Sequence, residues 1–350
     1  MPYLELPSSA LAPGTSPVRV HYRDAGGGRA IVILHGGWGY EIYPFERQIA
    51  ALAVHHRVVV PDRTGYGQSG RLERQATDFH HRAAAETFAL IDALALDRPI
   101  VWGHSDGAVI ALLMGLARPD RVSGLILEAA HFFRRKPGSR EFFEAMRRDP
   151  DSLGERATSV LARDHGEQWR EVLRANGDAW LRIAADPAPA PDLYGARLGD
   201  LRVPTLVIHG GKDPRTEPGE LEALRDVLTR RAEALRHVEV LAEGAHSPHS
   251  ERATADDVTR IAERFVGELL AGTFPRPGVP DGADRPGRPG GPDQPDGPGQ
   301  PDGPDQPDGP DQPDRPDQPE RSGEQDRGGE PDRLDQPVPP VAQGFSPAKP

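Results

Sequence analysis

The stretch IVWGHSDGAV, residues 100–109, decides the fold, because a run rich in β-branched residues ends in a serine flanked by two glycines. Helix-compatible residues follow Ser105 at once, so the chain turns sharply from a strand into a helix. Gly103 and Gly107 leave room beside the turning chain, and the turn projects the serine hydroxyl away from the backbone. This G-x-S-x-G pattern between a strand and a helix predicts a nucleophile elbow.

Short apolar runs alternate with longer helix-compatible runs on both sides of this turn. Strand-like runs occupy residues 18–24, 30–37, 56–62, 99–105, 124–129, 204–210 and 237–244. Apolar residues recur at helical spacing over 43–53, 78–95, 106–117, 217–234 and 254–270. Near-continuous apolar runs are typical of parallel strands covered on both faces. The alternation therefore predicts an α/β fold with a doubly wound, mostly parallel sheet and right-handed crossovers.

An insertion longer than a simple crossover interrupts this alternation. It contains three stretches with helical spacing, and it predicts a helical cap over residues 131–198. The cap would separate the first part of an α/β core, residues 1–130, from the second part, residues 199–272. Aromatic side chains of the cap could line an apolar substrate pocket that excludes water, and we single out Phe132, Trp169 and Trp180.

The last segment, residues 273–350, is a degenerate repeat of Pro, Asp, Gln and Gly with few apolar side chains. Such a composition cannot bury enough surface to offset the entropy lost on ordering, so it predicts a disordered tail. The alternative is a proline-rich ligand for a partner groove.

Composition excludes several kinds of function. The chain contains no cysteine, which excludes disulfides, thiolate metal sites and a cysteine nucleophile. Its 54 acidic and 42 basic residues give a net charge of −12, which argues against a nucleic-acid surface. The start has no signal-peptide pattern, and no apolar run approaches the ~18 residues of a membrane span. We therefore expect a cytoplasmic protein whose partner is a small-molecule substrate, and the oligomeric state stays open.

A serine nucleophile needs a base, and the base needs an acid that orients it. Asp213 follows the predicted strand at 204–210, and His246 follows the one at 237–244. In open α/β sheets ligands bind beyond the carboxyl ends of the strands, where Ser105 also lies. The order Ser, Asp, His along the chain is the one associated with this elbow.

Other polar residues compete for these roles. Asp192 and Asp200 precede the strand rather than follow it, which places them on the wrong side of the sheet. His249 lies three residues after His246, and we favour His246 because it follows a Gly-Ala pair that lets the loop approach the elbow. These three alternatives stay open at this point.

The remaining histidines fit structural roles. His35 is expected to brace the neighbouring glycine loop by hydrogen bonding, and His104 is expected to pack beside the elbow. Exposed or capping positions are expected for His55, His56, His80 and His81. Their spacing does not suggest a metal site, and we expect neither a metal nor an organic cofactor.

Backbone amides near the elbow are candidate donors to an oxyanion. The amide of Asp106 lies at the start of the helix after the serine, where the helix dipole also favours negative charge. In LHGGWG, residues 34–39, the glycines leave the main chain bare enough for a second donor, the amide of Gly37 or Trp38.

Residues 18–270 resemble the α/β-hydrolase superfamily, because five motifs occur in its expected order: HGGWG, DRTGYGQSG, GHSDG, HGGKDP and GAHSPH. The Ser-Asp-Gly at the elbow is similar to that of the valacyclovir hydrolase (biphenyl hydrolase-like) group. That resemblance implies that the Asp106 side chain binds a substrate α-amino group. The structural alternative is that Asp106 stabilises its helix as an acid in the first turn. The segment HGGWG looks more like that of carbon–carbon bond hydrolases and iminopeptidases.

These observations predict a serine hydrolase that cleaves a small-molecule carboxylic ester, an amino-acid ester being one option, through Ser105, His246, Asp213 and an acyl-enzyme. The alternatives are a carbon–carbon bond hydrolase, an aminopeptidase or a cofactor-free haloperoxidase on the same scaffold, and a non-catalytic binding protein. Dehalogenases and epoxide hydrolases are disfavoured, because their elbow nucleophile is an aspartate.

Overall fold

The predicted strands that precede and follow Ser105 along the chain lie in one eight-stranded sheet. A computed structural model describes residues 2–187, 190–229 and 236–272. The predicted disordered tail at 273–350 lies outside the described residues. The strands are β1 (Tyr3–Leu6), β2 (Val18–Ala25), β3 (Ala30–Leu34), β4 (Arg57–Pro61), β5 (Ile100–His104), β6 (Gly124–Glu128), β7 (Thr205–Gly210) and β8 (Arg236–Leu241).

The strand order across the sheet is β1-β2-β4-β3-β5-β6-β7-β8. From β4 to β8 all neighbouring strands are parallel, whereas β2 pairs antiparallel with both β1 and β4. The prediction of a doubly wound, mostly parallel sheet is confirmed. The strand β1 was not predicted, because it is short and only its last residue is buried.

Helices cover both faces of the sheet. They are α1 (Glu46–Leu52), α2 (Phe79–Ala93), α3 (Asp106–Ala117), α4 (Arg140–Arg148), α5 (Glu155–His165), α6 (Trp169–Ala185), α7 (Glu220–Thr229) and α8 (Ala255–Leu270). The strand β3 shows the two faces in its side chains, since Val32 packs with α2 and α3, whereas Ile33 packs with α1 and α8. Alternate residues of a strand point to opposite faces, so a strand buried on both sides must be apolar throughout.

The helices α4, α5 and α6 lie between β6 and β7, in the part of the chain expected to form a cap, and we call them the cap helices. They contact loops at the carboxyl ends of three central strands. His165 at the end of α5 donates from Nε2 to the Trp38 carbonyl and accepts from the Gly67 amide, both at 2.9 Å. Asn176 and Trp180 of α6 contact the start of α3. The cap helices therefore lie against the end of the sheet at which Ser105 is placed.

Two buried glutamates hold the segment between β6 and α4 in place through hydrogen bonds to its backbone amides. Glu220 Oε1 accepts the amides of Phe132 at 2.7 Å and Phe133 at 3.0 Å, and its other oxygen pairs with Lys136. Glu217 accepts two further amides of the segment, at Gly138 and Ser139. Within the described ranges, no helix is both long and apolar enough to cross a membrane.

Candidate active site

Ser105 lies at the corner between β5 and α3 with φ 53° and ψ −117°, a backbone conformation that non-glycine residues rarely adopt. The glycines on each side are required by close backbone contacts. A Cβ at Gly103 would lie 2.0 Å from the Gly107 carbonyl oxygen, and one at Gly107 would lie 2.1 Å from the Leu34 carbonyl oxygen. The chain can therefore turn so tightly only because both positions lack a side chain.

Ser105, His246 and Asp213 form one hydrogen-bonded chain. The Ser105 Oγ lies 3.0 Å from His246 Nε2. On the other side of the ring, His246 Nδ1 lies 3.0 Å and 2.9 Å from the two carboxylate oxygens of Asp213. When the Nδ1–H group of His246 donates a hydrogen bond to the carboxylate, Nε2 carries no proton and can accept a hydrogen bond from the serine hydroxyl. The structure thus brings together the three residues that the strand ends predicted.

Asp213 is held as a carboxylate. Burial alone would raise its pKa, but the charge and hydrogen bond of His246 outweigh burial and hold the pKa well below its ordinary value. The nearby His209 and the Arg215 amide, which donates to Oδ1 at 2.8 Å, act in the same direction. An ionised Asp213 can orient His246 and stabilise its protonated form.

The competing acids and base lie in other environments. His249 Nδ1 lies 2.7 Å from Glu128 Oε1, and its Nε2 lies 2.9 Å from the Tyr43 carbonyl oxygen. Asp192 accepts the amides of Tyr194 and Ala196, and Asp200 is exposed near Arg197. Within the described residues none of the three forms a hydrogen bond with Ser105 or His246.

Two further histidines brace the loops of the site. His104 Nε2 lies 2.9 Å from the His246 carbonyl oxygen, and burial lowers the His104 pKa to about 3, so the ring is neutral and can donate. His35 Nδ1 donates to the Gly36 carbonyl at 2.7 Å, and its Nε2 accepts the Arg63 amide at 3.1 Å. Both rings therefore fix backbone positions next to Ser105.

The loop after β3 approaches the elbow closely. A Cβ at Gly36 would lie 3.3 Å from Ser105 Cβ, and one at Gly37 would lie 2.8 Å from Asp106 Oδ2. Among the described residues, no acceptor is bonded to the backbone amides of Gly37, Trp38 or Asp106. These are the amides expected to donate to an oxyanion, and they are free to do so.

The Asp106 side chain is buried, with 1% of its surface exposed, and it is already hydrogen-bonded. Its Oδ1 accepts from Trp180 Nε1 at 3.0 Å and contacts His80 Nε2 at 3.2 Å, while its Oδ2 accepts from Asn176 at 2.9 Å. Burial would raise the pKa of Asp106, but His80, Arg63 and Asn176 together lower it to about 2. The carboxylate therefore joins the start of α3 to the cap helix α6.

This network corrects the expectation for His80, which was assigned an exposed or capping position. His80 is only 3% exposed, and its ring packs at a tilt against Phe79 and contacts Trp180 edge-on. The error has a physical reason, because the partner of His80 lies 26 positions further along the chain. Helical spacing alone does not show that a polar position on α2 faces the buried carboxylate of Asp106.

His131 was not among the predicted site residues, yet it lies beside Ser105. Its Nε2 is 3.3 Å from Ser105 Oγ, and its ring packs edge-on against Trp180. Burial, and then the positive charge of Lys136, lower its pKa well below the ordinary value, so His131 is neutral. It follows the end of β6 by three residues, so the rule that identified polar residues beyond strand ends could also have found it.

The aromatic residues singled out in the cap region have different surroundings. Trp180 reaches the site through its contacts with Asp106 and His131. Phe132 is buried against Phe133 and Tyr194, and Trp169 is buried with Arg170 stacked on its ring. Within the described part of the chain, neither Phe132 nor Trp169 forms a hydrogen bond or ring contact with Ser105, His246 or Asp213. The described residues also contain no group of three or more His, Asp or Glu side chains placed to hold a metal ion.

Comparisons with known proteins agree with this geometry. Residues 29–191 match the model of the alpha/beta hydrolase fold family. A Pseudomonas putida 2-hydroxy-6-oxononadienedioate/2-hydroxy-6-oxononatrienedioate hydrolase is 29% identical over 227 residues, which cover 57% of this chain and 77% of that protein. The mouse serine hydrolase BPHL is 27% identical over 254 residues, which cover 71% of this chain and 83% of that protein.

Among solved structures, an esterase from Thermogutta terrifontis superposes with a TM-score of 0.57 at 20% identity, covering 77% of this chain and 99% of that one. At this identity the likeness shows the fold. The resemblance expected from the motifs is confirmed, because the family model, the named hydrolases and the sheet topology agree. The chain has the α/β-hydrolase fold, and the relatives that it resembles in sequence are named as hydrolases.

Proposed function

We propose that this chain is a serine hydrolase that cleaves a small-molecule carboxylic ester through an acyl-enzyme. The observation that carries the proposal is the hydrogen-bonded chain of Ser105, His246 and Asp213 at a strained elbow, with 3.0 Å between Oγ and Nε2. A serine hydroxyl is a weak nucleophile near neutral pH, and a base placed at this distance activates it.

Acylation begins when Ser105 Oγ attacks the carbonyl carbon of the ester and its proton passes to His246 Nε2. Asp213 stabilises the imidazolium that forms. The bond from the carbonyl carbon to the leaving oxygen then breaks, and the alcohol departs with the proton from His246. Water repeats the sequence on the acyl-enzyme, with His246 again taking and returning the proton, and releases the carboxylic acid.

The negative charge on the carbonyl oxygen needs hydrogen-bond donors in the transition state. The amide of Asp106 and that of Gly37 or Trp38 would supply them, which agrees with their lack of other acceptors among the described residues. The cap helices would exclude water from this reaction and contribute to the choice of substrate.

The test is hydrolysis of a panel of p-nitrophenyl and benzyl esters, with and without a free α-amino group. Ser105→Ala should lower kcat by about 10⁴-fold or more, and a fluorophosphonate should label Ser105 in the wild type. The exposed Ser152 provides the matched control, since Ser152→Ala should retain both turnover and labelling. If the wild type neither turns over any ester nor takes the label, the protein is a binding protein on a hydrolase scaffold.

A second candidate is a carbon–carbon bond hydrolase, which would use the same three residues to cleave a β-diketone. It is favoured by the relatives named as 2-hydroxy-6-oxononadienedioate hydrolases, which include proteins 28–29% identical over 56–57% of this chain. Competition between such a diketone and the best ester discriminates the two, because the preferred substrate has the larger kcat/KM. A larger value for the diketone would replace the ester proposal.

A further inference from the structure

A half-buried arginine lies beside the acid of the proposed catalytic chain. Arg215 follows Asp213 by two residues, and its amide donates to Asp213 Oδ1 at 2.8 Å, which fixes the backbone there. Its guanidinium carbon lies 3.2 Å from the centre of the Phe142 ring, on the cap helix α4. Phe142 in turn stacks on Trp38, with 5.5 Å between ring centres. The guanidinium therefore lies where α4, the loop after β7 and the loop after β3 meet.

The charge of Arg215 has no hydrogen-bonded partner. Among the described residues, no carboxylate or carbonyl accepts a hydrogen bond from its guanidinium, and Asp213, whose charge acts on the guanidinium, is hydrogen-bonded to His246. Burial lowers the Arg215 pKa to about 10, so the group remains cationic at neutral pH. Charged groups removed from water are normally paired, which makes an unpaired guanidinium at this place a feature to explain.

The other buried cations near the site are already satisfied. Arg63 donates to the carbonyls of His35 at 2.6 Å and Gly36 at 3.0 Å, and Lys136 pairs with Glu220. Their donors hold loops in place. Arg215 thus differs from them in having donors that are free for a ligand.

The acid that could receive a cationic substrate is not free. The Asp106 carboxylate accepts hydrogen bonds from Trp180 and Asn176 and contacts His80, so a substrate ammonium group would have to displace internal partners. Among the described residues that contact this chain of three side chains, the charge left without a hydrogen-bonded partner is therefore the positive charge of Arg215.

We propose that Arg215 binds a carboxylate of the substrate, so that the substrate is an ester bearing a second, free carboxylate. A guanidinium offers two parallel N–H donors that match the two oxygens of a carboxylate. The guanidinium carbon lies over the Phe142 ring, and among the described residues no acceptor is hydrogen-bonded to the guanidinium N–H groups, so they can donate to a ligand. The inference rests on the proposed function for the reacting bond, but the carboxylate contact does not depend on which bond is cleaved.

The experiment compares two series of benzyl esters of increasing chain length, one ending in a carboxylate and the other in the neutral carboxamide of the same shape. The readout is the ratio of kcat/KM for each matched pair. In the wild type the ratio should favour the carboxylate by about 10- to 100-fold at one chain length. Arg215→Gln should remove this preference, and Arg215→Lys, which keeps the charge without the planar donors, should retain part of it.

The exposed Arg252 is the matched control, and Arg252→Gln should keep the wild-type ratio.

A binding measurement separates this inference from the ester proposal. Calorimetric titration of Ser105→Ala with the best carboxylate ester should show binding that weakens by a similar factor when Arg215→Gln is added. If the chain cleaves neutral and carboxylate esters equally and Arg215→Gln leaves the ratio unchanged, the inference is wrong and the ester hydrolase stands. If no ester is turned over but carboxylate binding still depends on Arg215, the reacting bond is wrong and the inference stands.

Discussion

The imidazole rings of His131 and His246 lie nearly parallel, with 5.7 Å between their centres and 21° between their planes. The Ser105 hydroxyl lies between their Nε2 atoms, at 3.3 Å from His131 and 3.0 Å from His246. A hydroxyl can give its proton to only one of them, and Asp213 prepares His246 as the acceptor. A neutral His131 can then donate its own Nε2–H to the oxygen, which fixes the hydroxyl in the direction of His246.

We therefore expect His131→Phe to lower kcat by about 10- to 100-fold with a small change in KM, because it removes one donor from a buried oxygen. His131→Asn keeps an N–H donor and should recover part of the loss. Steady-state kinetics on the best ester measure both variants, with the exposed His55→Asn as the control. Full activity in His131→Phe would assign this histidine to packing alone.

Asp213→Asn should lower kcat by about 10³- to 10⁴-fold, because an amide can present an N–H to His246 and favour the wrong tautomer. The substitution preserves shape, so the melting temperature should change little compared with the rate. The control is Asp200→Asn, at an exposed acid that precedes β7, and this substitution should leave kcat unchanged. If the two variants had equal rates, Asp213 would not orient the base.

How far the sequence predicts the site depends on how local each signal is. The elbow and the two strand-end partners were predictable, because β5, β7 and β8 are recognisable apolar runs and parallel strands end at one edge of the sheet. The preference for His246 over His249 rested only on the preceding Gly-Ala pair. The geometry adds a reason, since His249 is hydrogen-bonded to Glu128. Burial alone would raise the pKa of Glu128, but the contact with His249 outweighs burial and lowers it.

Residues with partners on distant elements were not predictable in this way. Asp106 is joined to α2 and α6 by contacts that span 26 to 74 positions of sequence, and nothing near it indicates them. The same is true of Arg215, because its position over Phe142 depends on how α4 packs against the loop after β7. The sequence thus predicts the reacting groups better than the groups that surround them.

Gly37→Ala should lower kcat by about 10- to 100-fold, because the added methyl would displace the loop that carries the free amides. Its Cβ would lie 2.8 Å from both Asp106 Oδ2 and Asn176 Oδ1. Both side chains are buried, and Asn176 Nδ2 donates a hydrogen bond to Asp106 Oδ2. The control is Gly27→Ala, where a Cβ meets nothing within 4 Å. Kinetics together with the melting temperature separate a displaced loop from lost folding, and wild-type kcat in Gly37→Ala would contradict the assignment of these amides.

Asp106→Asn tests the carboxylate that joins α3 to α6. The drop of the Asp106 pKa from 3.8 to about 2 corresponds to about 2 kcal/mol of folding free energy. Because the pKa is lower in the folded than in the unfolded chain, this stabilisation is complete above about pH 4 and is lost as the pH falls towards 2. Asparagine also turns an N–H₂ group towards the donors of Trp180 or Asn176.

Urea unfolding at a series of pH values measures this prediction. At pH 7 the free energy of unfolding of Asp106→Asn should lie about 2 kcal/mol or more below that of the wild type. The difference should shrink between about pH 4 and pH 2, because the wild-type carboxylate becomes protonated there. The exposed Asp120→Asn serves as the control for loss of a negative charge and should show no such difference. A gap that stays constant from pH 7 to about pH 3 would mean that the shape of the side chain, and not its charge, holds α3 and α6 together.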